Sequence, residues 1–129
     1  MLTDYVAMDL ETTGLNPRME KIIEIGAVRV RDGVVEDTFC TYVNPGKAIP
    51  QRITELTGIR DEEVASAPYI EDVLPRFLEF LGEDYLLGHN VIFDFSFIKK
   101  AAVNQKLSFE RNGIDTLRIA RRFLTNLES

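Results

Sequence analysis

The chain has 129 residues, with 15 Lys+Arg against 21 Asp+Glu and a formal charge of −6. That length gives room for one domain with a real hydrophobic core, and 45% hydrophobic with 28% charged residues exclude wholesale disorder. No apolar run approaches the ~18 residues of a membrane span, Met1-Leu2-Thr3-Asp4 lacks the basic and apolar regions of a signal peptide, and the single cysteine, Cys40, excludes an internal disulfide and suits a reducing cytoplasm.

Tyr5 to Leu10 reads as a first strand, and Thr12-Thr-Gly-Leu-Asn-Pro17 as a loop punctuated by Gly14 and Pro17. Ile22 to Val30 reads as a second strand. Asp32-Gly33 is a hairpin signal, which makes Val34 to Val43 an antiparallel third strand ended by Asn44-Pro45-Gly46. Ile49-Pro50 leads into a short helix that stops at Gly58. Ile70, Val73, Leu74, Phe77, Leu78 and Leu81 have helical spacing; Pro75 suits that helix if it lies in the first turn, and Gly82 supplies the stop. Tyr85-Leu-Leu-Gly reads as a fourth, buried strand. Asn90 is placed to cap a helix from about Val91 to Asn104. A short strand near Ile114 and a last helix capped by Asp115, with Leu117, Ala120, Phe123, Leu124 and Leu127 on one side, complete the order. The pattern is mixed α/β around one central sheet.

Charge is unevenly spread. Residues 1–94 carry eight basic and eighteen acidic side chains, and residues 95–129 seven and three. Such asymmetry marks either a partner surface or solvated helix faces. The acidic balance argues against broad electrostatic coating of duplex DNA.

Three acids stand in apolar surroundings. Asp9 and Glu11 are two residues apart at the end of the first strand, so their carboxylates share a face, about 6–7 Å apart at Cα. A divalent cation would relieve their repulsion; the plainer account is a strand end emerging into water. Asp94 lies within Val91-Ile-Phe-Asp-Phe-Ser-Phe-Ile98, where a carboxylate is costly unless paired, hydrogen-bonded or metal-bound. The positive end of a helix starting near Asn90 would also favour it. Together the three suggest oxygen coordination of magnesium or manganese rather than zinc, because His89 and Cys40 are the only soft ligands.

Four segments then carry a resemblance. Ala7-Met-Asp9-Leu-Glu11-Thr-Thr-Gly-Leu-Asn-Pro17 resembles the first motif of the DnaQ-like 3′→5′ exonucleases of the DEDD superfamily, and Ile22-Ile-Glu-Ile-Gly-Ala27 follows where that family has its second strand. Leu56-Thr-Gly-Ile59 resembles its nucleotide-contacting loop, and Gly88-His-Asn-x-x-Phe-Asp94 its second motif. The resemblance continues more weakly through Asp115-Thr-Leu. It implies a ribonuclease-H-like fold, with a mixed sheet of an antiparallel three-strand meander plus parallel strands flanked by helices. It also implies removal of nucleotides from the 3′ end of single-stranded DNA or RNA as nucleoside 5′-monophosphates, with two divalent cations, Mg²⁺ or Mn²⁺. By resemblance Asp9 bridges both metals, and Glu11 and Asp94 complete much of the shell. One metal activates water and the other stabilises the leaving 3′ oxygen. Backbone near Thr12 and Thr13 is implied to meet the terminal nucleotide. Leu15, Leu56 and Ile59 either pack on a base or belong to ordinary packing. Thr57, Gly58, His89 and Asn90 are implied near the substrate, although Gly58 also fits a helix C-cap and Asn90 an N-cap.

The family's third motif, a His or Tyr with a final Asp on one more helix, is absent from these 129 residues. His89 and Asp94 have the His-x4-Asp spacing, but Gly88, Asn90 and Phe93 match the second motif, so His89 reads as structural or substrate-proximal. Asp115 reads as a cap rather than a substitute ligand. Residues 1–129 are therefore expected to form a single, C-terminally incomplete exonuclease domain that is weakly active or inactive alone. Its exposed face would favour self-association. The expected parent is a proofreading subunit of the DNA polymerase III epsilon type, a polymerase or helicase carrying the domain, or a free nuclease. The competing readings are a non-catalytic module for nucleic-acid ends or protein partners, and a ribonuclease-H-like domain with other phosphodiester chemistry.

Overall fold

A computed structural model describes residues 3–109. The strand near Ile114 and the last helix with its Asp115 cap lie outside these residues. Four strands form one sheet: β1 (Tyr5–Thr12), β2 (Ile22–Arg31), β3 (Val34–Tyr42) and β4 (Leu86–Leu87). Its spatial order is β3-β2-β1-β4; β1–β2 and β2–β3 are antiparallel, and β1–β4 is parallel. The mixed sheet expected from the sequence is present. The fourth strand is only two residues long, pairing Val6 with Leu86 and Ala7 with Leu87. The β2–β3 hairpin turns at Asp32 and Gly33, both at positive φ (53° and 75°), the conformation a two-residue primed turn requires.

The helices are α1 (Gln51–Thr57), α2 (Asp61–Val64), α3 (Ile70–Leu81) and α4 (Val91–Asn104). α1 stops at Gly58, whose φ of 80° is the left-handed cap conformation. The sequence reading missed α2. Its signal was an acidic first turn, Asp61-Glu62-Glu63, with the Glu63 carboxylate accepting the Arg60 N–H at 3.0 Å. Pro75 is not in the first turn, since α3 begins at Ile70. It is tolerated one turn further in because Pro75 and Glu71 are both exposed, which leaves the carbonyl without its helical partner on the solvated side. Asn90 holds the N-cap position of α4 but makes no side-chain cap bond, so the expected cap is positional only.

Alternation along β1 sets the layers. Val6, Met8 and Leu10 face the main core with Ile22, Ile25 and Ala27 of β2 and with Leu74, Phe77, Leu81, Phe97 and Ile98 of α3 and α4. Phe39 extends that core across β3, 5.2 Å from Phe77 and 5.6 Å from Phe80 between ring centroids. On the opposite face, α1 and α2 cover Ile23 through Ile49, Ile53, Ile59 and Val64. The remainder of that face carries Tyr5, Val30 and Leu87 with Ala7 and Val28. It also receives the alternate residues of β1, Asp9 and Glu11.

Candidate active site

The strand period places Asp9 and Glu11 on the same side of β1, with Asp9 exposed and Glu11 half-buried. The register sets Gly26 opposite Asp9 and Glu24 opposite Glu11. Like charges directly across a strand pair repel. Burial first, then Asp9 and Glu24, pushes the Glu11 carboxyl above its ordinary range. Glu24 is raised in the same way by burial, Asp9 and Glu63. Sequence reading took Ile22-Ile-Glu-Ile only as a strand. The signal for Glu24 was a carboxylate between isoleucines, and only the register showed which acid it faces.

Asp94 joins from the first turn of α4, where its own N–H donates to the Asn90 carbonyl at 3.1 Å. Its residue is 3% exposed. Burial, then the Asp9 charge, then Glu11, push its carboxyl up to about 8, against the opposing pull of a backbone hydrogen bond from Leu10. The two sequence segments, 85 residues apart, therefore converge. Gly88 permits the approach: a Cβ there would sit 2.9 Å from the Met8 carbonyl oxygen and 3.8 Å from Asp94 Oδ2. Any side chain would push the β4–α4 turn off β1.

Asp9, Glu11, Glu24 and Asp94 thus form an acidic cluster, and among the described residues no Lys or Arg makes an ion pair with any of them. Among the described residues, no group of three His, Cys, Asp or Glu side chains stands in an arrangement that could hold a metal ion. The donor chemistry nevertheless fits a hard cation, because every donor is a carboxylate oxygen and one is buried without a countercharge among the described residues.

The remaining residues singled out in the sequence sort by exposure and bonding. His89 and Asp9 line one cavity of about 480 Å³ with Ala7, Gly26, Val28 and Gly88. Asn90 is exposed beside it in sequence. The Thr12 hydroxyl donates to the Gly14 carbonyl at 2.7 Å. Thr13 is fully buried: its hydroxyl accepts the Lys21 N–H at 2.9 Å and donates to Glu20 at 3.0 Å. These hydroxyls hold the loop together and do not project from it. Thr57 also turns inward, donating to the Ile53 carbonyl at 2.8 Å. Ile59 is buried with Ile23 and Ile53, so it packs in the core and offers no surface to a base. Leu15 and Leu56 do the opposite; each is 80% exposed.

The sequence model of one family, RNase T, described as an exonuclease, matches residues 6–129. The chain belongs to this exonuclease family. The exonuclease chain is 43% identical over 125 residues to "DNA polymerase III PolC-type" of Clostridium perfringens (strain 13 / Type A), covering 97% of this chain and 9% of that protein. It is 39% identical over 125 residues to "DNA polymerase III subunit epsilon" of Aquifex aeolicus (strain VF5), covering 96% of this chain and 62% of that one. It therefore spans under a tenth of the PolC-type relative and about three fifths of the epsilon subunit. Among solved structures, "Exonuclease X in complex with 5′ overhanging duplex DNA" is 31% identical with a TM-score of 0.63, covering 72% of this chain and 52% of that one. "Exonuclease I (apo)" superimposes with a TM-score of 0.73 at 18% identity over 84% of this chain and 26% of that one. That likeness shows the fold, which is ribonuclease-H-like. The exonuclease family is metal-dependent, generally with two divalent cations. No helix among the described residues is long and apolar enough to cross a membrane.

Proposed function

We propose that residues 1–129 are a single, cytoplasmic 3′→5′ exonuclease domain that hydrolyses the terminal phosphodiester of a nucleic-acid strand and releases nucleoside 5′-monophosphates. The observation that carries this reading is the convergence of the buried Asp94 carboxylate on Asp9 and Glu11 with no basic partner among the described residues. Such a cluster is costly alone and apt for a cation pair. In this reading Asp9, Glu11 and Asp94 would hold two Mg²⁺ or Mn²⁺ ions. When bound, the cations supply water activation and stabilisation of the leaving oxygen. A backbone hydrogen bond from Leu10 favours the charged form of Asp94, the form that a cation would need. Backbone at Thr12 and Thr13 lies against the terminal nucleotide, Leu15 and Leu56 pack on its base, and His89 and Asn90 border the scissile phosphate.

The relatives' names favour DNA as substrate and proofreading beside a DNA polymerase III as context. His89 is the only histidine. This reading keeps it near substrate and assigns the general base and a fourth carboxylate to a third motif that these 129 residues lack. The chain alone is then expected to turn over slowly, since general acid–base help is worth roughly 10²–10⁴-fold. The test is release of mononucleotides from a 3′-labelled oligonucleotide under single-turnover conditions, with Mg²⁺ or Mn²⁺ and with EDTA. Slow, cation-dependent release from the 3′ end, lost in Asp9→Ala, supports the reading. End binding with no release at any enzyme concentration supports a non-catalytic module instead.

A further inference from the structure

Glu20 lies in the loop between β1 and β2, outside the acidic cluster, and its side chain is bonded on both sides. Its Oε1 accepts from Lys47 Nζ at 2.6 Å and from the Thr13 hydroxyl at 3.0 Å. Lys47 also donates to the Met19 carbonyl at 3.3 Å. The loop is closed at its base by the Thr13 N–H on the Lys21 carbonyl at 2.8 Å and by the Lys21 N–H on the Thr13 hydroxyl at 2.9 Å. A Cβ on Gly14 would lie 2.5 Å from Glu20 Oε2 and 2.8 Å from its Cδ. Glycine there lets the Glu20 side chain run directly under the backbone that presents Leu15.

Lys47, four residues before α1, links Glu20 to the segment that leads into that helix. The Glu20 carboxyl is held below the usual range first by Lys47 and Thr13, and also by the charge of Arg52. Arg52 and Leu56 are one turn apart on α1 and share a helix face. One carboxylate therefore ties two pieces together: the loop that displays Leu15 and the Lys47 segment that leads into α1, the helix that displays Leu56. Both leucines are large, aliphatic and 80% exposed.

We propose that Glu20 is a positioning residue: with Lys47 and Thr13 it fixes the placement of Leu15 relative to Leu56, the two side chains against which the terminal base of a strand packs. This rests on the exonuclease reading of the site and extends it to what selects the strand end. An aliphatic contact takes any base by its flat face, so selection comes from the spacing of the contacts, and a charge-assisted clamp holds that spacing better than a flexible loop.

The test uses the 129-residue chain and two oligonucleotides, one with 2-aminopurine as the 3′-terminal base and one with it several bases inside. Binding is followed by fluorescence with Ca²⁺, and hydrolysis by kcat and KM with Mn²⁺. Glu20→Gln and Lys47→Met are each expected to weaken the terminal-base signal about five- to tenfold, the loss of one charge-assisted contact. Lys47→Arg should stay within about twofold, and the internal probe should be unchanged in all variants. KM should rise while kcat holds, because Asp9, Glu11 and Asp94 are untouched. If Glu20→Gln fails to fold, as judged by circular dichroism, Lys47→Met carries the test. Unchanged terminal-base binding in the folded variants overturns the proposal and leaves the exonuclease reading standing, as does an equal loss at both probe positions. A wild-type chain with neither terminal-base signal nor hydrolysis overturns the exonuclease reading, and this proposal with it.

Discussion

Replacing Asp94 with Asn separates what this residue costs the fold from what it gives the site. Asp94 has a carboxyl near 8 in the folded chain against 3.8 for an ordinary aspartate. Between those values the native state holds a proton that the unfolded state has released, so stability falls as pH rises through that window. The slope is about 1.4 kcal/mol per pH unit. Without metal, this one group leaves the fold about 4 kcal/mol less stable at pH 7 than at pH 4. Asn keeps the volume and an acceptor for the Leu10 N–H but does not titrate. In EDTA, urea unfolding should therefore give coincident stabilities for wild type and Asp94→Asn near pH 4, with the variant about 4 kcal/mol ahead at pH 7. Burial and charge also raise Glu11 and Glu24; both occur in both proteins, so the difference between the curves reports Asp94. Added Mn²⁺ should then stabilise wild type and not the variant. Parallel pH curves for the two proteins in EDTA would refute the reasoning.

Other outcomes follow from the same geometry. Asp9→Ala should abolish Mn²⁺ binding measured calorimetrically at pH 8, and a titration unchanged from wild type would remove Asp9 from the metal shell. Gly88→Ala places its Cβ 2.9 Å from the Met8 carbonyl oxygen, whereas Gly26→Ala meets nothing nearer than 3.9 Å. The first should cost about 1–3 kcal/mol in denaturant unfolding, and the second should be neutral or slightly stabilising because a strand glycine is replaced. Phe77→Ala, fully buried against Phe39, should cost about 3–5 kcal/mol, and a loss below 1 would mean the α3–sheet packing is misplaced. Leu15→Ala and Leu56→Ala should leave the melting temperature unchanged, since both are exposed, while weakening oligonucleotide-end binding; a drop in melting temperature would show that they pack on the protein itself.

Much of this protein is written locally in its sequence. The Asp32-Gly33 turn, the Gly58 and Gly82 stops and the 70–81 helical period were legible because each depends on a few adjacent residues: left-handed backbone at glycine, or one apolar face per turn. The Asp9–Glu11 pair was legible for the same reason, since alternation along a single strand puts both on one side. The Asp94 anomaly showed as a charge in an apolar stretch, but its destination did not. Which acids meet is decided by strand register and by the helix that crosses the sheet. The pairing of Glu24 with Glu11, the entry of Asp94 past Gly88, and the burial of Ile59 beside Ile23 all depend on residues distant in sequence. The motif could therefore name the three carboxylates. Only the tertiary structure decided that Asp9 and Glu11 stand close enough to a buried Asp94 to raise its proton affinity, because that field depends on distance and burial, and neither is a property of the sequence pattern.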